Sequence, residues 1–448
     1  MKHFDVVVIG AGPAGGACAS TCARAGLKVA MVEDYGFGGT CPLRGCNPKK
    51  VLTAAAESTA LVRDMLGQGL EGLVRINWEQ LAAFRDSFVQ GKKEKIRQAY
   101  EGMGVATFMG RAAFVDRDAV KVGHETIQGR HFVLANGMRP IELDIPGSEF
   151  LSSSDDFLAL KKLPPRICFI GGGFISFEFA SVAARAGAKV SIVHRSGQVL
   201  KAFDPQLSSG LAEAMKGAGV EIYLNTPITA IEYRGETLTV RAESGNKEVR
   251  VEADMVVHGA GRVPDVDDLH LEIPGVSVSR KGIEVDRHMR SVSNPDVFAA
   301  GDAAATPYAL TPTGDMEGRT AAANILEPGS ASADYTGVPR AVYTAPPMCA
   351  VGLLESEARE KGINFKVIQE NMADWFSWTI AGQKHAACKI LIDQEQDVLV
   401  GAHILGAGAD ELANLFAMAV RMKLPVSELQ KVLWAYPTKG YYFKYMIP

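Results

Sequence analysis

Twice in this chain an apolar strand pattern runs into a glycine-rich turn and then a helix, and that repetition constrains the fold more than any other feature. Residues 4–9 (Phe-Asp-Val-Val-Val-Ile) read as a buried parallel strand. They lead into Gly10-Ala11-Gly12-Pro13-Ala14-Gly15, a G-x-G-x-x-G turn, then a small-residue helix to about Gly26 and a strand over residues 28–32 ending at Glu33. Glycines let the backbone approach a pyrophosphate, the helix N-terminus supplies positive potential, and an acid about 20 residues on binds ribose hydroxyls. After Pro164-Pro165 the layout recurs: a strand over 166–170, Gly171-Gly172-Gly173-Phe174-Ile175-Ser176, a helix to Ala186 and a strand over 189–193. Ser176 takes the last glycine position and is small enough for close helix–strand packing. This second unit ends in His194-Arg195, not an acid, and Lys201 follows. A missing carboxylate with added cations favours a 2′-phosphate, hence NADPH over NADH; a solvated basic loop is the competing reading.

Between the two turns lies Gly38-Gly39-Thr40-Cys41-Pro42-Leu43-Arg44-Gly45-Cys46-Asn47-Pro48-Lys49-Lys50. A C-x4-C pair at the start of a helix can close a disulfide, and a helix N-terminus with nearby lysines lowers a thiol's pKa. Zinc would need two more ligands, and no second Cys or Cys/His pair stands nearby. Two unconnected thiols remain the third reading. Cys18, Cys22, Cys168, Cys349 and Cys388 read as small buried hydrophobes. No metal site is expected.

The other segments are ordinary. Residues 51–102 read as helical, with Asn77 as an N-cap. Short strands are expected over 105–115, 119–122, 126–127 and 131–134, a three-strand stretch over 228–251, and alternating strands and helices after the small-residue linker 329–333. Net charge is −4, which gives no basic footprint for nucleic acid or an anionic membrane. No apolar run is long enough to span a bilayer. The start, Met1-Lys2-His3-Phe4-Asp5, passes directly into a strand pattern without a signal-peptide layout, so a cytoplasmic protein is expected.

Taken in order, these motifs resemble the flavoprotein disulfide reductases, the group of glutathione reductase, dihydrolipoamide dehydrogenase and mercuric reductase. The resemblance covers nearly the whole chain. It rests on both glycine turns, G-G-T-C-x4-C, Glu178, Gly261-Arg262-x-Pro264, Ala299-Ala300-Gly301-Asp302 and Leu310-Thr311-Pro312. It implies an α/β chain with two Rossmann-type domains and a C-terminal α+β dimerisation domain. The boundaries would be 1–147 with 266–330 for FAD, 148–265 for NAD(P) and 336–448 for dimerisation in a homodimer. FAD would be contacted by Gly10, Gly12, Pro13, Ala14, Gly15, Glu33, Gly39, Thr40, Lys50, Ala112, Gly137, Gly301, Asp302, Leu310 and Thr311. The nucleotide would lie on Gly171, Gly172, Gly173, Phe174, Ile175, His194, Arg195, Lys201, Gly261 and Arg262, with Phe174 as an aromatic gate over the nicotinamide. Cys46 would face the flavin as the charge-transfer thiolate, Cys41 would attack substrate, and Lys49 would pair with Glu178 beside the flavin.

One departure stands out. The family's C-terminal His-Pro-Thr, followed three residues after the Thr by Glu, supplies a base for the thiols. Here the stretch is Tyr436-Pro437-Thr438-Lys439-Gly440-Tyr441, with tyrosines at both positions. A phenol ordinarily ionises near pH 10, a poor base at neutral pH, though it can donate a proton. Tyr436 is either an acid–base substitute or an interface packing residue. The expected activity is NADPH-driven reduction of a Cys41–Cys46 disulfide, then of an acceptor needing little acid–base help: a low-molecular-weight or protein disulfide, a persulfide or a thiol-bound metal ion. Two alternatives stay open. Electrons could pass from flavin to a quinone or oxygen, or the protein could be a non-catalytic redox-sensing flavoprotein.

Overall fold

The computed structural model describes residues 2–245 and 247–448; Met1, where the first expected domain begins, lies outside them. The chain divides into two compact units. The first comprises Met1–Lys49, Arg85–Ile141 and Arg262–Tyr335, the second Lys50–Phe84, Glu142–Gly261 and Thr336–Pro448.

In the first unit a sheet runs Ala106–Met109, Val29–Glu33, Lys2–Ile9, Glu125–Leu134, Ala119–Val122 and Ala112–Asp116, with Val297–Ala299 also paired to Glu125–Leu134. The strands around Lys2–Ile9 are parallel, in register Val8↔Met31 and Val8↔Val133. Val6, Val7 and Val8 are fully buried, as expected for a strand covered on both faces. The helix Pro13–Arg24 packs on the helix Thr311–Leu326 through small residues. A side chain at Gly318 would overlap the Ala14 carbonyl, and one at Gly314 would meet the Ala14 methyl at 3.5 Å. Close helix approach is therefore what Gly318 supplies, whereas a Cβ at Gly314 would make only ordinary contact.

The second unit holds a parallel sheet in the order Val220–Tyr223, Lys189–Val193, Arg166–Ile170, Met255–His258, and an antiparallel meander of Ile228–Arg234, Thr237–Ser244 and Lys247–Ala253. It also holds a C-terminal antiparallel sheet, Pro339–Val342, Met348–Gly352, Val398–Leu405, Ala387–Asp393, Phe365–Asn371, with the helix Ala409–Arg421 packed on it. The chain is thus α/β with two doubly wound nucleotide folds and an α+β C-terminal module. Among the described residues no helix is long and apolar enough to cross a membrane.

Three local expectations need correction. The strand expected over 105–115 is two, Ala106–Met109 and Ala112–Asp116, at opposite edges of the sheet and parted by Gly110 at φ +144°. The helical stretch 51–102 is three helices, ending at Asp64 and resuming at Trp78 and Lys92. Gly67, Gly69 and Gly72 all take positive φ in the gap, which a continued helix excludes. Asn77 does cap the second helix, its Oδ1 accepting from the Gln80 N–H at 3.1 Å. Strands expected separately at 126–127 and 131–134 are one strand, Glu125–Leu134. Gly129 does not break it: a Cβ there would press on the Val7 side chain at 2.7 Å, so the glycine serves strand approach.

Candidate active site

The first glycine turn is shaped by contacts that admit no side chain. Gly10 has φ +101°, and a Cβ would overlap the Ala135 carbonyl oxygen. A Cβ at Gly15 would overlap the Gly10 carbonyl. Gly12 differs: a Cβ there would meet nothing nearer than 4.0 Å. Gly12 is also the N-cap of the helix Pro13–Arg24, with Pro13 and Ala14 in its first turn, and no side chain caps that end. Its N–H donors are left for an anion. The buried Glu33 accepts from the N–H of Ala11 at 2.8 Å and from those of Tyr35 and Gly36 at 3.0 Å. A carboxylate offers about four lone pairs, so one remains for a hydroxyl. The open face of Gly12 and the uncapped helix fit the pyrophosphate of an FAD.

The cysteine segment is tied to this turn. Gly39 has φ +66°, and a Cβ there would lie 2.5 Å from the Gly12 Cα. Thr40 then opens a short helix, Thr40–Arg44, carrying Cys41. Gly45, at φ −144° and ψ −119°, interrupts it, and Cys46 begins the long helix Cys46–Asp64. Cys41 is half-buried and Cys46 exposed, both in the thiol form. Cys46 Sγ lies 3.6 Å from Thr311 Oγ1. The Cys41 thiol is pushed far above the usual thiol range, first by its hydrogen bond with Cys46 and then by burial. The Thr311 hydroxyl and the Lys49 charge pull it back down. Hydrogen-bonded thiols titrate as a pair, so the two sulfurs share one protonation equilibrium.

The other first-unit candidates follow. Ala112 is buried at a strand start, and Gly137, at φ +77°, borders open space. Gly301, at φ +71°, donates its N–H to Glu317 Oε2 at 2.7 Å. Burial raises the Asp302 carboxyl above its ordinary pKa, while the Arg262 charge lowers it. Arg262 donates to the Met138 carbonyl. Leu310 is the N-cap residue of the helix begun by Thr311. Glu317, unforeseen from the sequence, is fully buried and also accepts from the Tyr335 hydroxyl at 2.9 Å. A lone carboxylate on the buried face of a small-residue helix was the available signal.

The second turn repeats the first in backbone only. Gly171 has φ +104°, and a Cβ would overlap the Gly259 carbonyl; Gly173 is again an N-cap without side-chain capping. Ser176 is accommodated because a bare glycine, Gly259, lies opposite its hydroxyl. Gly172 has a distinct reason: its Cβ would meet the His194 ring at 2.7 Å. That ring lies over the turn, its Nε2 3.1 Å from the Gln198 carbonyl and 2.8 Å from Ser196 Oγ. Burial lowers the His194 pKa, so the ring is neutral at physiological pH. Leu200 donates its N–H to the Gly172 carbonyl at 2.8 Å, folding residues 195–201 back on the turn with Arg195 and Lys201 exposed. Phe174 is half exposed, Ile175 partly buried, and Gly261 takes φ +134°. Glu178 is fully buried, accepting from the Tyr343 N–H at 2.8 Å. Lys50 reaches Glu57 at 3.2 Å and Asp410 at 3.8 Å and lies 4.2 Å from the Tyr343 ring centre.

The C-terminal tail is aromatic and only partly exposed, with Phe443, Met446 and Ile447 buried. Tyr436 is 65% exposed and meets Tyr441 edge-on at 4.8 Å. The Tyr441 and Tyr445 hydroxyls are 3.4 Å apart, and Lys444 lies 4.2 Å from the Tyr441 ring centre. Tyr441 is lowered below a phenol's ordinary pKa, first by its bond with Tyr445 and then by that with Lys444.

Comparisons with known proteins agree with this architecture. Residues 4–323 match the family described as pyridine nucleotide-disulphide oxidoreductase, and residues 338–446 match that family's dimerisation domain. A glutathione reductase of Burkholderia cepacia is 32% identical over 437 residues, covering 97% of this chain and 96% of that protein. The HOCl-induced flavoprotein disulfide reductase RclA from Escherichia coli superposes with TM-score 0.88 at 25% identity, covering 99% of each chain. Its Cu(II) complex superposes with TM-score 0.87 at 25% identity, covering 100% of this chain and 99% of that one. The chain therefore belongs to the pyridine nucleotide-disulphide oxidoreductase family, as an FAD-dependent, NAD(P)H-using disulfide oxidoreductase.

Proposed function

We propose that this enzyme is an NADPH-dependent flavoprotein disulfide reductase whose working acceptor is a small disulfide or a thiol-binding metal ion such as Cu(II). The observation that carries the reading is the hydrogen-bonded pair of thiols, Cys41 and Cys46, with Thr311 and Lys49 beside them. Bound FAD supplies the relay between a hydride donor and a sulfur. Its pyrophosphate is assigned to Gly10, Gly12 and the uncapped helix start, its ribose to Glu33, and its ribityl chain to Asp302. Gly137, Ala112 and Thr40 are assigned to the same site. Lys49 and Glu178 are assigned to hydride transfer.

NADPH donates a hydride. With one further proton, its two electrons convert the Cys41–Cys46 disulfide to the dithiol. The dithiol then returns two electrons to one disulfide or to two Cu(II) ions, and the enzyme disulfide re-forms. Cys41 is assigned as the outer sulfur that attacks the acceptor, and Cys46 as the one facing the flavin. Arg195 and Lys201 support NADPH: both are exposed beside the second turn, and the strand before them ends in His194 instead of an acid. The absence of a His–Glu pair favours metal ions and activated disulfides, whose reduction needs least proton transfer, and the neighbour described as a Cu(II) complex supports the metal arm. Residues 338–446 match a dimerisation domain, and we assign a homodimer. The domain boundaries at 147, 265 and 336 and a cytoplasmic location belong to the same reading.

Cys41→Ser decides it. Reduction of Cu(II) and of an activated aryl disulfide should fall by on the order of 10³-fold or more, as for a removed nucleophile, while anaerobic NADPH still bleaches the flavin absorbance. Turnover that survives the substitution rules out the dithiol route.

A further inference from the structure

Resting on the NADPH reading above, we infer that Lys389 and Arg340, two cations of the C-terminal sheet, are positioning residues for the coenzyme. They hold from behind the segment that carries Arg195 and Lys201. Its front is fixed by the turn itself, through the Leu200 N–H on the Gly172 carbonyl. Val199, Leu200 and Phe203 are buried in the nucleotide-fold core, so the segment is a packed strap with its cations outward.

Its rear end is where the C-terminal module enters. Asp204, 1% exposed, uses Oδ1 to cap the helix Pro205–Gly217, accepting from Gln206 at 3.0 Å and Leu207 at 3.2 Å. Its other oxygen accepts from Lys389 Nζ at 2.9 Å. Lys389 lies on the strand Ala387–Asp393, is itself buried, and shares its ammonium with Glu355 at 3.1 Å. A lysine is rarely buried without a partner, and this one has two. Arg340, on the strand Pro339–Val342, donates to the Ala202 carbonyl at 2.9 Å and to the Gly352 carbonyl at 3.1 Å, its guanidinium 5.9 Å from the Phe203 ring centre. Ala202 directly follows Lys201. The two cations therefore pin the residues on either side of Phe203 immediately behind the phosphate-binding lysine. The helix cap on Oδ1 does not need Lys389. Removing the lysine frees the strap while the helix beyond it stays formed.

The test uses the full-length, FAD-loaded enzyme and reads binding of NADP⁺ and NAD⁺ by calorimetry, with KM and kcat for NADPH and NADH alongside. Lys389→Met and Arg340→Gln are each expected to weaken NADP⁺ binding about tenfold, the worth of one contact to a charged group. NAD⁺ affinity and kcat at saturating NADPH should change less than about twofold. Because Lys389→Met leaves Asp204 buried without its cation, Asp204→Asn/Lys389→Met is the control. Asn still caps the helix, so the double variant should recover thermal stability and still bind NADP⁺ weakly. NADP⁺ affinity restored in the double variant overturns the inference, as does equal weakening for both coenzymes. Arg195→Ala/Lys201→Ala separates the two levels. If it loses NADP⁺ preference and the Lys389 and Arg340 variants do not, only the positioning role falls. If it leaves the preference intact, the NADPH reading falls and the positioning role with it.

Discussion

The two glycine turns share a backbone and differ in what finishes them. At each, a glycine near φ +100° faces a carbonyl oxygen, and a helix begins without a side-chain cap. The first closes on itself: Glu33 gathers the N–H groups of Ala11, Tyr35 and Gly36 within one strand–turn unit. The second is closed by an imidazole resting on Gly172 and by a strap anchored on side chains from the C-terminal sheet. On the reading proposed above, glycine geometry admits a dinucleotide, and the residue ending the second strand selects which one. An acid spends its charge on the local backbone. A histidine with flanking cations leaves positive charge outside and draws its support from distant residues.

The largest effect should come from breaking what the turns share. Gly10→Ala and Gly171→Ala each force a Cβ into a carbonyl at positive φ, costing on the order of 3 kcal/mol. Soluble yield and flavin absorbance should fall for the first, and thermal stability for the second. Tolerance at only one position would break the parallel. The second prediction concerns what lies only behind the second turn. His403, buried with Nε2 3.0 Å from the Leu353 carbonyl, has its pKa lowered from 6.5 to about 4 by burial. Between those values the unfolded chain binds a proton that the folded chain does not. Stability is therefore full above pH 6.5 and declines towards pH 4, by up to about 3 kcal/mol. Denaturant unfolding at pH 7, 5.5 and 4.5 should show this slope, and His403→Gln should flatten it.

The third prediction sharpens the difference between the turns. Arg195→Ala/Lys201→Ala should lower the NADPH-to-NADH ratio of kcat/KM by about 10- to 100-fold, one or two contacts to a charged group. FAD content should not change. The mildest is the reciprocal change. Glu33→Gln keeps one acceptor oxygen and turns an NH2 toward the N–H groups met by the other, losing at least one bond worth about 1.5–3 kcal/mol. FAD retention in dilution assays should fall modestly, with coenzyme preference unaltered. A shifted preference would mean that the two turns are not independent.

Much of this was legible along the chain. Each strand–turn–helix unit, the small residue at Ser176, the cysteine spacing and the tyrosines at 436 and 441 are local patterns with a steric or chemical cause, readable wherever they stand. The glycines at 67, 69 and 72 were equally visible, yet helical periodicity on both sides masked the break they impose. What the sequence by itself determined was the pair of nucleotide turns, the dithiol segment and the missing histidine, because each depends on neighbours a few residues apart. Only the tertiary structure decided that Glu317 supports Gly301, that His194 lies on Gly172, and that Lys389 meets Asp204 from 185 residues away. Buried polar side chains find their partners through folding, and a partner across the sheet leaves no period in the chain.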